Sequence, residues 1–162
     1  MKPGTLAFRG GVVEADVVEK PARQFQNPEI AMPYALPALT TLVALLLYFV
    51  TIANVGRARG KYKIDAPAVT GHPDFERVHC VQMNMLEQIV AFLPALWLFA
   101  VYVSPVWSSV LGTVWVAGRA LYAVAYYRAA EKRGAGFVIG FAAFAVLWLG
   151  AAWGVIQTLL RG

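Results

Sequence analysis

The sequence predicts an all-α, integral membrane four-helix bundle, and three observations carry that prediction. First, 59% of the 162 residues are hydrophobic and only 14% are charged, too apolar for a soluble domain of this size. Second, the charges are segregated. No charged side chain falls between Glu29 and Arg57 or between Arg133 and Arg161, and only Glu87 and Arg119 fall between Arg77 and Arg128. Third, Ser104-Pro105 interrupts that middle stretch, with Tyr102 and Trp107 beside it as at an interfacial turn between antiparallel spans. A membrane-crossing helix needs about 20 apolar residues, so each outer stretch holds one span and the middle one holds two. The expected spans lie near 34–56, 76–103, 106–132 and 136–160. A helix satisfies its own backbone polar groups in lipid, and nothing in the periodicity points to a barrel.

Residues 1–33 differ in kind from the rest. Mixed charges, scattered Gly and Pro, and no apolar run of signal-peptide length mark a weakly structured extension ahead of a membrane domain at 34–162. Met32, just before the first span, is an alternative start. The first connection, VGRARGKYKIDAPAVTGHPDFER, carries Arg57, Arg59, Lys61, Lys63 and Arg77, and the third adds Arg128, Lys132 and Arg133 at the same membrane face. The opposite face has Lys20, Arg23 and Arg161. The positive-inside rule then puts the basic connections in the cytoplasm and both termini across the membrane. The net charge of +5 reads as topology and contact with membrane lipid rather than nucleic acid, since no basic patch is interleaved with aromatics. A single cysteine, Cys80, excludes an internal disulfide framework. His72 and His79 belong in or beside the first connection and no histidine falls inside an apolar span, so no metal is expected.

The second span opens with polar residues where apolar ones would be cheaper. At 100° per residue, Arg77, Val81, Asn84 and Gln88 lie within about 60° of one another, with Cys80 and Glu87 on the same side and Gln82 nearly opposite. A carboxylate at the centre of a membrane helix costs about 3 kcal/mol, so Glu87 needs a cationic partner and must face protein or water. In the third span, Arg119, Tyr122, Tyr126 and Arg133 keep within roughly 60° and make a stripe about 21 Å long, with Arg133 expected in the last helical turn and Gly134 and Gly136 stopping the helix. Arg119 lies deep in the apolar stretch, and Glu87 is the candidate partner for it. Arginines and tyrosines facing Asn and Glu suit a small zwitterion with several carboxylates and one ammonium. A nearby guanidinium also favours the thiolate of a thiol whose unperturbed pKa is about 8.5.

The run RARGKYKIDAPAVTGHPDFERVHCVQMNMLEQ, followed by LPALWLFA, resembles the signature of the family of membrane-associated proteins in eicosanoid and glutathione metabolism. The matching positions are Gly71, Pro73, Phe75, Glu76, Arg77, Gln82, Asn84 and Glu87, and the likeness extends over roughly residues 35–160. The resemblance implies a homotrimer that binds glutathione as co-substrate between subunits, near the cytoplasmic face. It implies Asn84, Glu87, Tyr122 and Tyr126 around glutathione from one subunit and Arg59 and Gln82 from the next. Arg133 would hold the thiolate, with Arg77 and Arg119 as further charges at the site. The implied activity is attack of that thiolate on a lipophilic electrophile arriving from the bilayer, and related members also reduce lipid hydroperoxides. Two positions depart from the pattern: Cys80 stands where relatives commonly carry a carboxylate-binding Arg, and Gln88 where some carry a Tyr.

Two other readings remain at the level of sequence. A small proton-coupled multidrug carrier would use Glu87 as its exchanging carboxylate, although Arg119 would repel cationic cargo. A non-catalytic lipid-binding member of the same family is compatible with Cys80.

Overall fold

The helices that begin at Pro73 and Pro105 are each capped by the residue before the proline. The structure, a computed structural model, describes residues 28–162. In chain order it has α1 (Pro28–Tyr62), α2 (Pro73–Tyr102), α3 (Pro105–Arg128), a short 3-10 turn (Ala130–Arg133) and α4 (Gly134–Arg161). Each of the four helices is long and apolar enough to cross a membrane. The extension expected at residues 1–33 lies outside the described residues except for its end, where α1 has already begun at Pro28.

Pro73 and Pro105 occupy the first turns of α2 and α3, where a missing N–H removes a donor that has no intrahelical acceptor anyway. The His72 ring nitrogen accepts from the Asp74 N–H at 3.2 Å, and the Ser104 hydroxyl accepts from the Trp107 N–H at 3.4 Å. The turn at Ser104-Pro105 is therefore where the sequence places it.

Two boundaries differ from the sequence expectation. The helix of the first span does not end near residue 56 but runs on through Arg57, Arg59 and Lys61, whose charges complement its C-terminal dipole. The third helix stops at Arg128, short of residue 132, because Ala129 adopts an extended conformation (φ −160°, ψ 130°). Arg133 therefore sits in the connecting 3-10 turn rather than in the last turn of α3. Gly134 and Gly136 do not stop a helix; they begin the next one.

The core lies between α2, α3 and α4. Phe92 of α2 and Trp115 of α3 stack with ring centroids 3.8 Å apart and planes 4° from parallel. The Ser108 hydroxyl donates to the Leu96 carbonyl at 2.6 Å, a buried bond that sets the height of α3 against α2. Met85, Leu96 and Leu147 fill the space around the stack. The α1 helix joins through side chains: the Trp97 indole N–H donates to the Thr41 hydroxyl at 3.1 Å, and Asn54 donates to the Tyr127 hydroxyl at 3.3 Å.

Helices α3 and α4 approach until their backbones touch. A methyl group built on Gly118 would lie 2.6 Å from the Gly140 nitrogen, and one on Gly136 would collide with the backbone of Tyr122. Small residues at such crossings are how membrane helices gain close packing without a hydrophobic driving force between them. Gly118→Val should therefore lower the stability of detergent-solubilised protein by about 1–3 kcal/mol, as overpacking does. Gly56 on α1 has open space around it. Gly56→Ala should leave the unfolding midpoint unchanged or raise it slightly, and equal losses in both variants would reject close approach as the cause.

Candidate functional site

At the end of the bundle where the basic connections lie, three residues chosen on sequence grounds line one cavity. Asn84 from α2, Tyr122 from α3 and Arg133 from the 3-10 turn enclose about 370 Å³, with Gly134 and Phe137 of α4 completing the wall. That volume lies within the roughly 300–1,000 Å³ of small-molecule sites. The Asn84 amide nitrogen donates to the Cys80 carbonyl one turn back at 2.9 Å.

The stripe of α3 continues as alternating cations and rings. The Arg119 guanidinium lies 4.3 Å from the Tyr122 ring centroid, Tyr122 and Tyr126 are 5.6 Å apart, and the Arg133 guanidinium lies 5.0 Å from Tyr126. Arg133 reaches this row although α3 has ended, because the 3-10 turn folds it back over Tyr126. Both tyrosines are buried, whereas Arg133 is exposed at the mouth. An exposed cation above buried rings can meet an anion brought to the mouth.

Arg119 is only 2% exposed, and its Nε and one terminal nitrogen have no hydrogen-bond partner among the described residues. The pairing with Glu87 expected from the sequence is not formed. Glu87 instead projects from α2 as an exposed side chain at membrane depth. The face rotates it away from α3, since Val81, Met85 and Ile89 occupy the buried side of the helix.

The remaining sequence candidates lie elsewhere. Arg59 donates to the Ile64 and Ala68 carbonyls at 3.3 and 2.8 Å and lies 5.1 Å from the Phe75 ring, holding the first connection in place. The Gln82 amide donates to the Tyr48 hydroxyl of α1 at 3.4 Å. Arg77 pairs with Asp74 one turn earlier, and Tyr62 donates to the other oxygen of that carboxylate at 2.8 Å. Arg77 also lines a second cavity of about 430 Å³ with Cys80, Tyr126 and Glu131, in which Cys80 is an exposed free thiol.

The segment GHPDFER is legible as local structure. Gly71 takes φ +135°, a conformation open to glycine, and its N–H donates to the Glu76 carboxylate at 3.1 Å. His72 caps the helix, Pro73 starts it, and Phe75 is fully buried beneath Arg59. Phe137 was missed by sequence reasoning. It sits inside an uninterrupted apolar run, and nothing in the sequence separates a cavity-lining aromatic from a lipid-facing one.

The MAPEG family model matches residues 37–153, spanning all four helices. The chain belongs to the MAPEG family. A Synechocystis sp. protein described as uncharacterized is 52% identical over 123 residues, covering 76% of this chain and 90% of that one. Microsomal glutathione S-transferase 2 of Homo sapiens is 42% identical over 107 residues, covering 66% and 73%. Leukotriene C4 synthase of Cavia porcellus is 36% identical over 115 residues, covering 71% and 75%. Within this MAPEG chain the matched region contains every residue of the cavity described above.

A buried arginine with unpartnered donors opposes folding. Arg119→Met should keep or raise the thermal unfolding midpoint, since exchanging buried charge for a packed apolar chain is often stabilising by about 1–4 kcal/mol. A lowered midpoint would make Arg119 a structural residue instead.

Proposed function

We propose that this MAPEG protein is a membrane-bound glutathione transferase that activates the glutathione thiolate for attack on lipophilic electrophiles. The single observation that carries the reading is the convergence of Asn84, Tyr122 and Arg133 on one cavity at the basic end of the bundle. Relatives named glutathione S-transferase and leukotriene C4 synthase support it.

In this reading a homotrimer closes the cavity. Asn84, Glu87, Tyr122 and Tyr126 hold glutathione from one subunit, while Arg59 and Gln82 of the neighbouring subunit complete the cradle. The exposure of Glu87 supports this, because a carboxylate on the outer face of a membrane helix is relieved by a subunit boundary and a ligand ammonium. Arg77 and Arg119 add positive potential behind the carboxylates of the ligand. Basic connections on the cytoplasmic side would place the cavity mouth where a soluble thiol arrives.

The free thiol of glutathione, with a pKa of about 8.5, is only a few per cent ionised at neutral pH. Arg133 supplies a guanidinium at the mouth, lowers that pKa and holds the sulfur anion. The thiol proton leaves to water, the sulfur forms a bond to the electrophilic carbon, and the leaving group departs with the bonding pair. The same thiolate attacking the terminal oxygen of a lipid hydroperoxide would break the O–O bond and release the lipid alcohol after protonation, and a second glutathione would convert the resulting sulfenic acid to the disulfide and water, a peroxidase activity compatible with detoxification.

Arg133→Ala should lower kcat for glutathione with a chromogenic aromatic halide by about 100-fold, with a much smaller change in KM for glutathione. Because Arg133 depresses the thiol pKa, the wild-type rate falls as pH drops through that lowered value. In the variant the same acid limb should move to higher pH. An unmoved limb would remove Arg133 from the mechanism. Wild-type protein with no rate above the uncatalysed reaction would leave the non-catalytic reading standing. Glu87→Gln should weaken glutathione binding measured by calorimetry, and unchanged affinity would assign Glu87 to assembly or, with cation uptake into vesicles, to a carrier.

A further inference from the structure

A third polar cavity, of about 480 Å³, opens at the same end of the bundle between α1, α2 and α3. Of its lining, the proposed chemistry draws only on the charge of Arg77. Arg57 and Lys61 from α1 and Arg77 from α2 face it, and Asp74 is the one carboxylate in its lining. That carboxylate is already committed on both oxygens, to Arg77 and to Tyr62. Arg57 donates one guanidinium N–H to the Asn54 side chain at 3.0 Å, and Asn54 in turn donates to Tyr127 at 3.3 Å. The Arg57 head is thus steadied while most of its donors stay free. The Arg77 Nε is buried with no partner among the described residues. Three cations against one occupied carboxylate leave an excess of two positive charges in a walled recess.

The surroundings specify what kind of anion fits. Arg57 and Lys61 are four residues apart and share a face of α1. Toward the membrane centre the same face continues through Val50 and Leu46, seven and eleven residues before Arg57, which are 46% and 63% exposed. An apolar track two to three turns long therefore leads along α1 directly to the basic recess. Arg59 lies on the opposite side of the helix, tied into the first connection. A ligand in this recess would not compete with a neighbour that uses the Arg59 side.

We propose that this recess binds the phosphodiester headgroup of an anionic phospholipid, with one acyl chain lying along Leu46 and Val50. The guanidinium groups of Arg57 and Arg77 fork the phosphate oxygens, the Lys61 ammonium adds charge, and the Asn54–Tyr127 pair receives headgroup hydroxyls. Arg57 and Lys61 have no part in glutathione turnover, so a test on these two residues stands or falls independently of that reading.

Native mass spectrometry of the full-length purified protein titrated with phosphatidylglycerol, and separately with phosphatidylcholine, tests the assignment. Phosphatidylglycerol should be retained at one per protomer, with phosphatidylcholine held at least about tenfold more weakly. The double variant Arg57→Gln, Lys61→Gln should lose about tenfold or more of the phosphatidylglycerol affinity, since each interfacial cation contributes about 1 kcal/mol. Both side chains are exposed, so an unchanged unfolding midpoint should confirm that the fold is intact. Lys132→Gln removes a charge at the same membrane face but outside the recess and should leave retention unchanged. Equal loss in the Lys132 variant would show bulk charge attraction and overturn the site, as would equal retention of the two lipids. Displacement of phosphatidylglycerol by millimolar inorganic phosphate would identify a soluble anion as the occupant and overturn the lipid assignment.

Discussion

The contact on which the rest depends is the backbone approach of α3 and α4. At Gly118, which faces the Gly140 backbone, and at Gly136 the two helices come closer than any side chain permits. That approach brings the start of α4 against the middle of α3, and so brings the 3-10 turn with Arg133 over Tyr126. Gly140 also leaves room for the Arg119 side chain, whose Cδ would lie 3.3 Å from a methyl group built there. Packing and chemistry are therefore joined at one helix crossing. A wider crossing would separate Arg133 from Asn84 and Tyr122 and open the cavity they share.

Polar groups in an apolar bundle settle into two kinds. Some are consumed by the fold: Ser108 on the Leu96 carbonyl, Trp97 on Thr41, and Asn54 on Tyr127 each satisfy a partner in another helix. Others are left with unused capacity: two Arg119 nitrogens and the Arg77 Nε have no hydrogen-bond partner among the described residues, and Glu87 is exposed. Unsatisfied charge at membrane depth is expensive, and its concentration at one end of the bundle distinguishes that end as the place where ligands enter. The two groups interleave along α2, which is why periodicity alone could not sort them.

The segment that first marked the family has a double character. Gly71, His72, Pro73, Phe75 and Glu76 build the start of α2, each through a local geometric demand: a positive φ, a cap, a missing N–H, a buried ring and a carboxylate that receives a loop amide. The following turns carry Asn84 and Glu87 outward. A recognisable motif can thus be mostly scaffold at one end and mostly site at the other. The MAPEG match covers both without distinguishing them.

By itself the sequence determined the class of the fold, the number of spans, the turn at Ser104-Pro105 and the Arg119, Tyr122 and Tyr126 part of the cation–tyrosine stripe, because each of these follows from composition or helical periodicity along one chain segment. It also determined that the face with Asn84 and Glu87 differs from the face with Gln82. Only the tertiary structure decided that α3 ends at Arg128 and that Arg133 returns to the stripe from a separate turn. Likewise it decided that Arg119 and Glu87 do not pair, that Arg59 holds its own connection, and that Phe137 lines the cavity. The reason is physical: relative heights, rotations and chain reversals are set by contacts between helices, such as Gly118 on Gly140 and Ser108 on Leu96, and no single helix encodes where its neighbour will stand.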